Sequence, residues 1–126
     1  YIGVGGVVGR ISREDGTYSG LSNAADITFN TTGDRVWLGG VVGRFNEGAA
    51  MSDATNSGSI TCSAETSMDT FIGGIAPRIT TSISNCHSAG GTIPYTGANY
   101  AGKLYIGGVT GYTNAAVQIS NRTGYL

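Results

Sequence analysis

The sequence predicts an all-β fold, a right-handed parallel β-helix or β-solenoid built from four copies of a 34-residue repeat. Three observations carry that prediction. Paired glycines stand at Gly5-Gly6, Gly39-Gly40, Gly73-Gly74 and Gly107-Gly108, and 39−5, 73−39 and 107−73 are each 34 residues. Around each pair runs one phrase, Gly3-Val4-Gly5-Gly6-Val7-Val8-Gly9-Arg10 in the first copy and Trp37-Leu38-Gly39-Gly40-Val41-Val42-Gly43-Arg44 in the second. Self-similarity at a fixed period marks a stacked architecture in which each unit buries its apolar face against its neighbours. The third observation is composition. Tetratricopeptide helix pairs share this period, but they need long stripes of Ala, Leu, Glu and Lys, whereas these segments are short, β-branched and broken by Gly, Ser, Thr and Asn.

Within each copy, the glycine phrase reads as a first strand of about six to eight residues. Its aliphatic column is Val4, Leu38, Ile72 and Ile106. A later strand is expected at Ile27-Thr28-Phe29, Ile60-Thr61-Cys62 and Ile93-Pro94-Tyr95, with Ile27, Ile60 and Ile93 pointing inward. Between them lies a Ser/Asn segment at Leu21-Ser22-Asn23, Ala54-Thr55-Asn56, Ile83-Ser84-Asn85 and Ile119-Ser120-Asn121, read as a corner whose position drifts between copies. Stacked about 4.8 Å apart, these segments turn columns into ladders: Val7, Val41, Ile75 and Val109 aliphatic, and Gly3, Trp37, Phe71 and Tyr105 mostly aromatic. A double glycine inside a strand signals a bulge or bend that can reset which side faces inward. Pro77, in place of the third glycine of the phrase, reads as a strand end.

Residues 1–126 are expected to form one domain. The sequence opens at Tyr1, inside a copy of the phrase, as a segment of a longer polypeptide would. With 40% hydrophobic and only 12% charged residues the chain is too apolar for disorder. A net charge of −1 and a single lysine, Lys103, give no basic field, so neither nucleic acid nor anionic lipid is an expected partner. Every apolar run is interrupted well short of bilayer length, so no membrane insertion is expected.

The phrase Gly39-Gly40-Val41-Val42-Gly43, its variants Gly73-Gly74-Ile75 and Gly107-Gly108-Val109, and the closing Asn56-Ser57-Gly58-Ser59-Ile60 resemble the GLUG-motif repeats of bacterial, Bacteroidetes-type cell-surface proteins, which also occur in IgA-cleaving metallopeptidases. The resemblance implies an exported, extracellular or cell-surface β-helical module, a spacer or adhesive arm beside neighbouring domains of the same polypeptide. It carries no catalytic residues.

Candidate binding residues are Arg10, Arg44 and Arg78, one column in which Tyr112 takes the fourth place, together with Tyr100 and Tyr112 near loops. Guanidinium forks suit the carboxylates and sulfates of acidic sugars. The plainer expectation is that like charges at ladder spacing splay into water or pair with Glu14, Asp15 or Glu47. Trp37, Phe71 and Tyr105 offer platforms for sugar rings but are first expected to stack within the fold. Cys62 and Cys86 are expected as two buried thiols ahead of a disulfide. His87, beside Cys86, would be a poor catalytic partner because adjacent strand residues face opposite ways, and it reads as a solvent-exposed corner residue. The eight acids scatter without a paired-carboxylate pattern, and the sequons at Asn30 and Asn121 mean little by themselves.

No catalytic residue, metal site or cofactor is therefore expected. The leading expectation is a non-enzymatic segment of a surface or secreted protein, a stalk or an adhesive surface whose partners include host glycans or surface proteins. The alternative is a carbohydrate-binding or carbohydrate-active module for acidic polysaccharides, with its site near Arg78, His87 and Tyr100. An ice-binding face ranks last, because Thr31-Thr32 and Thr80-Thr81 fall at different points of the repeat.

Overall fold

The computed structural model describes residues 2–11, 16–33, 35–44, 50–79, 83–88, 93–99, 102–113 and 119–120, with side chains described except at 96–99 and 119–120. Among them the chain is all-β without helices, and every strand pairing is parallel. Strand β1 (Ile2–Gly5) lies beside β5 (Val36–Gly39), then β8 (Thr70–Gly73), then β12 (Leu104–Gly107). In a second sheet β2 (Thr17–Ser19) and β3 (Ser22–Asn23) both pair with β6 (Ala50–Asn56), followed by β10 (Ile83–Ser88) and β14 (Ile119–Ser120). A third holds β4 (Ile27–Thr32), β7 (Ile60–Thr66) and β11 (Tyr95–Asn99), and β9 (Ala76–Ile79) pairs with β13 (Thr110–Thr113). The chain visits first, second and third sheets in turn and then begins again.

The register follows the glycine period. Val4 sits opposite Leu38, Leu38 opposite Ile72 and Ile72 opposite Ile106. Gly3, Trp37, Phe71 and Tyr105 form the adjoining column. Past the glycines, backbone bonds from Val7 N to Val41 O, Val41 N to Ile75 O and Ile75 N to Val109 O, all within 3.0 Å, continue the ladder. In the third sheet Ile27 opposes Ile60, and Cys62 stands between Phe29 and Tyr95.

Each glycine phrase gives four strand residues rather than six to eight, because the chain bends at the pair. A Cβ built on Gly5, Gly39, Gly73 or Gly107 would fall inside 3.0 Å of the carbonyl oxygen three residues on. One built on Gly6, Gly40 or Gly74 would strike the carbonyl oxygen of the equivalent glycine in the next turn. None of these glycines has positive φ, so the requirement is for space rather than for a left-handed backbone. The bend resets the facing: Leu38 before it and Val41 after it are both fully buried.

The bend also divides the interior. Val36, Leu38, Ile60, Cys62, Ala64, Ile72 and Ile93 form one cluster between the first and third sheets. Val41, Val42, Met51, Ala54, Ile75, Ala76, Ile79, Ile83 and Cys86 form a second cluster on the other side. Between them runs a polar seam. Gly6 abuts Asn23, Gly40 abuts Asn56 and Gly74 abuts Ser88, all three polar residues being buried. Asn23 Nδ2 donates to Ala25 O at 2.9 Å and to Asn56 Oδ1 at 2.8 Å, while Ala25 N donates back to Asn23 Oδ1 at 3.3 Å. Asn56 holds Gly58 in the same way, with Nδ2 to Gly58 O at 3.1 Å and Gly58 N to Oδ1 at 3.2 Å. Buried amides so satisfied avoid the penalty of an unmade hydrogen bond.

Three expectations need correction. The Ser/Asn segment is not a corner but the strand pair β2-β3 and its neighbours β6 and β10, and Asn85 does not continue the Asn23–Asn56 column. Cys86 opposes Ala54, His87 opposes Thr55 and Ser88 opposes Asn56. Asn85 belongs one bend earlier, with Asp53 and Gly20. These three have φ of 53°, 54° and 71°, a left-handed conformation that Gly, Asn and Asp adopt most readily. Asn121, expected in the same segment, lies outside the described residues. Pro77 does not end the phrase either: it is the second residue of β9, fully buried, where the missing Cβ of Gly43 and Gly111 keeps the backbone of the preceding strand within contact.

Candidate site: an arginine and aromatic row outside the glycine bend

Trp37, Phe71 and Tyr105 point away from the interior on β5, β8 and β12, since their neighbours Leu38, Ile72 and Ile106 point inward. Seven residues later in each copy comes the arginine column: Arg44 after Trp37, Arg78 after Phe71, and Tyr112 after Tyr105. The bend at the glycines folds the two outer surfaces toward each other. A Cβ at Gly3 would lie 3.6 Å from Arg44 Cβ, and one at Gly111 2.6 Å from Tyr105 O.

The side chains therefore interleave. The Arg44 guanidinium carbon is 5.5 Å from the Trp37 ring centre, and that of Arg78 is 5.7 Å from the same ring and 5.1 Å from the Tyr112 ring. Phe71 is buried, tilted on Trp37 at 5.2 Å and stacked parallel to Tyr105 at 5.0 Å. Tyr112 packs edge-on against both Phe71 and Tyr105, at 6.0 and 5.3 Å. Guanidinium over an aromatic face is attractive through the ring quadrupole, more so where water is partly excluded. Tyr112 replaces an arginine without a break because it is the ring against which Arg78, its partner in register, stacks.

Of the sequence-predicted site residues, Arg44, Arg78 and Tyr112 come together. Arg10 is exposed and continues the column, with Ile11 N bonded to Arg44 O at 2.8 Å. Tyr112 stands in strand β13 rather than in a loop, yet 37% of its surface remains exposed. Tyr100 lies outside the described residues, as do Glu14, Asp15 and Glu47, the expected arginine partners. What sequence reasoning missed is that the arginine and aromatic columns are one feature. The recurring spacing of seven residues was the available signal.

No family model, characterised protein or solved structure matches this chain. The site must be read from its own geometry.

The other candidate groups have structural employment. His87 is a half-buried strand residue, not an exposed corner, and its Nε2 lies 3.2 Å from Asn85 Oδ1. It sits in β10, whereas Arg78 sits in β9. Cys62 and Cys86 are both free and fully buried, in different apolar clusters. Burial pushes the Cys62 thiol up to about 11. Burial likewise raises Cys86, helped by the charge of Asp53 and opposed by a hydrogen bond from the Ala54 backbone. Thiols held protonated are poor nucleophiles. Three acids serve neighbouring turns: Asp26 accepts from Ser59 N at 2.8 Å, Asp69 from Lys103 N at 2.9 Å, and Asp53 from Asn85 Nδ2. Among the described residues no three His, Cys, Asp or Glu side chains gather as metal ligands.

Proposed function

We propose that the chain is a parallel β-solenoid segment of a bacterial surface or secreted protein, non-catalytic, and serving as a stalk or an adhesive surface of the GLUG-repeat kind. The observation that carries this reading is the residue-for-residue stacking of glycine and aliphatic columns across all four phrases, with an aromatic column across the last three. Such a design devotes the interior to self-support and leaves one long outer face for contact. Among the described residues, Asp26, Asp53 and Asp69 each hold one segment of the chain to the next. Antibodies raised against the segment test the setting. They should label intact cells of the source organism. Labelling only after permeabilisation overturns it. In the adhesive form, removing the segment from its parent protein should lower attachment of those cells. Unchanged attachment reduces the role to a stalk.

A further inference from the structure

We propose that Arg78, with Tyr105 and Tyr112 beside it, is the centre of a binding site for the carboxylate or sulfate group of an acidic sugar, and that Arg44 and Arg10 extend the site along the stack. The inference deepens the adhesive form of the reading above and rests on it for its biological setting.

The Arg78 guanidinium is held between two rings, 5.7 Å from that of Trp37 and 5.1 Å from that of Tyr112. A cation fixed in this way has already lost much of its rotamer freedom, so less entropy remains to be lost when a ligand binds. Arg78 makes no ion pair among the described residues, and its Nε is shut off from solvent with no hydrogen-bond partner. A guanidinium already stripped of part of its hydration gains most from an oxyanion that its planar fork can hold at two points.

The third element is the aromatic surface next to the charge. Tyr112 is more than one-third exposed, and Tyr105 meets it edge-on at 5.3 Å, half-buried. An acidic sugar offers the same pairing of features: an apolar ring face and, attached to it, a charged group. The column supplies direction. Arg10, Arg44 and Arg78 recur once per turn, about 4.8 Å apart along the stack, a spacing of the order of successive sugar units in an extended polysaccharide. The chain as a whole, at a net charge of −1 with one lysine, lacks the field that would draw nucleic acid.

Trp37 is the only tryptophan and lies against both guanidinium groups, so its fluorescence reports on the site. The full chain is titrated with oligogalacturonate, with a heparin-derived oligosaccharide, with a neutral cello-oligosaccharide, with sodium acetate and sodium sulfate, and with a single-stranded DNA oligomer. A saturable change with at least one acidic oligosaccharide is expected, weakened by salt and absent with the neutral one. The uronate and sulfate arms decide which oxyanion is preferred. Arg78→Gln should weaken binding at least about tenfold, and Arg78→Lys should weaken it less. Lys103→Gln should leave it unchanged, and far-ultraviolet circular dichroism of each variant verifies its fold.

The proposal is overturned by equal binding of the neutral sugar or of DNA, by equal binding in a folded Arg78→Gln variant, or by no saturable change up to about 1 mM ligand. Surface labelling without sugar binding would remove the site and leave the surface-module reading standing. Sugar binding with no labelling of intact cells would do the reverse.

Discussion

The glycine seam and the arginine row are both columns with one residue per turn, yet they differ in how much they tolerate. Along the seam, Gly6, Gly40 and Gly74 leave no room for a methyl group, and Asn23 and Asn56 bond the backbone of their own turn. Outside the bend the same four phrases carry Arg10, Arg44, Arg78 and then Tyr112, a change of charge and shape absorbed by stacking. The interior column is fixed by contact distances on all sides. The outer row has one open side, with Arg10 and Tyr112 exposed to solvent.

The largest effect is expected where that contrast is sharpest. Gly40→Ala puts a Cβ inside 3.0 Å of both Gly74 O and the Asn56 side chain, and should destabilise by about 3 kcal/mol or prevent folding. Gly20→Ala is its control. No atom lies within 4 Å of the added methyl, and the strain of φ at 71° should cost only about 1 kcal/mol. Urea unfolding of both variants ranks them, and a cost at Gly20 equal to that at Gly40 would show that conformation rather than space governs the seam.

Asn56→Ala should come next. It removes the acceptor of Gly58 N and leaves Asn23 Nδ2 with Ala25 O as its one remaining acceptor among those described, at a cost of about 2 kcal/mol. If thermal melting were unchanged, the seam would owe its stability to the glycines alone.

A pH effect follows from Cys62. Its thiol is neutral in the fold up to about 11 but ionises from about 9 in the unfolded chain. Since the folded value is raised, its contribution to stability is intact below pH 9 and is lost progressively as the pH rises toward 11. Cys62→Ala should flatten that part of the stability profile. A profile unaltered by the substitution would place the alkaline loss in other groups.

The smallest effect belongs to the outer row. Arg78→Gln removes two ring contacts at a partly open position and should cost less than about 1 kcal/mol, read as a small shift in urea midpoint. A loss comparable to that of Gly40→Ala would make Arg78 a structural strut.

The interior ladders were legible because each column repeats one chemical type at one offset: Val4, Leu38, Ile72 and Ile106 are all aliphatic and all 34 residues apart. The second sheet was misread for two physical reasons. Its left-handed position accepts Gly20, Asp53 and Asn85 alike, so no single letter marks it. Its offsets also shrink, 53−20 being 33 and 85−53 being 32, so that Asn85 fell into apparent alignment with Asn56. The arginine row was half legible. Its column stood out, but the fold of the chain at the glycines, which brings Arg78 over Trp37, depends on close backbone approaches that only three dimensions reveal.

Methyl nuclear Overhauser contacts measure the parallel, in-register stack directly. The Leu38 methyl groups should show cross-peaks to Val4 on one side and to Ile72 on the other, and Ile72 should show the same to Ile106. Leu38 contacts confined to residues near it in sequence, with none to Val4 or Ile72, would contradict the stack.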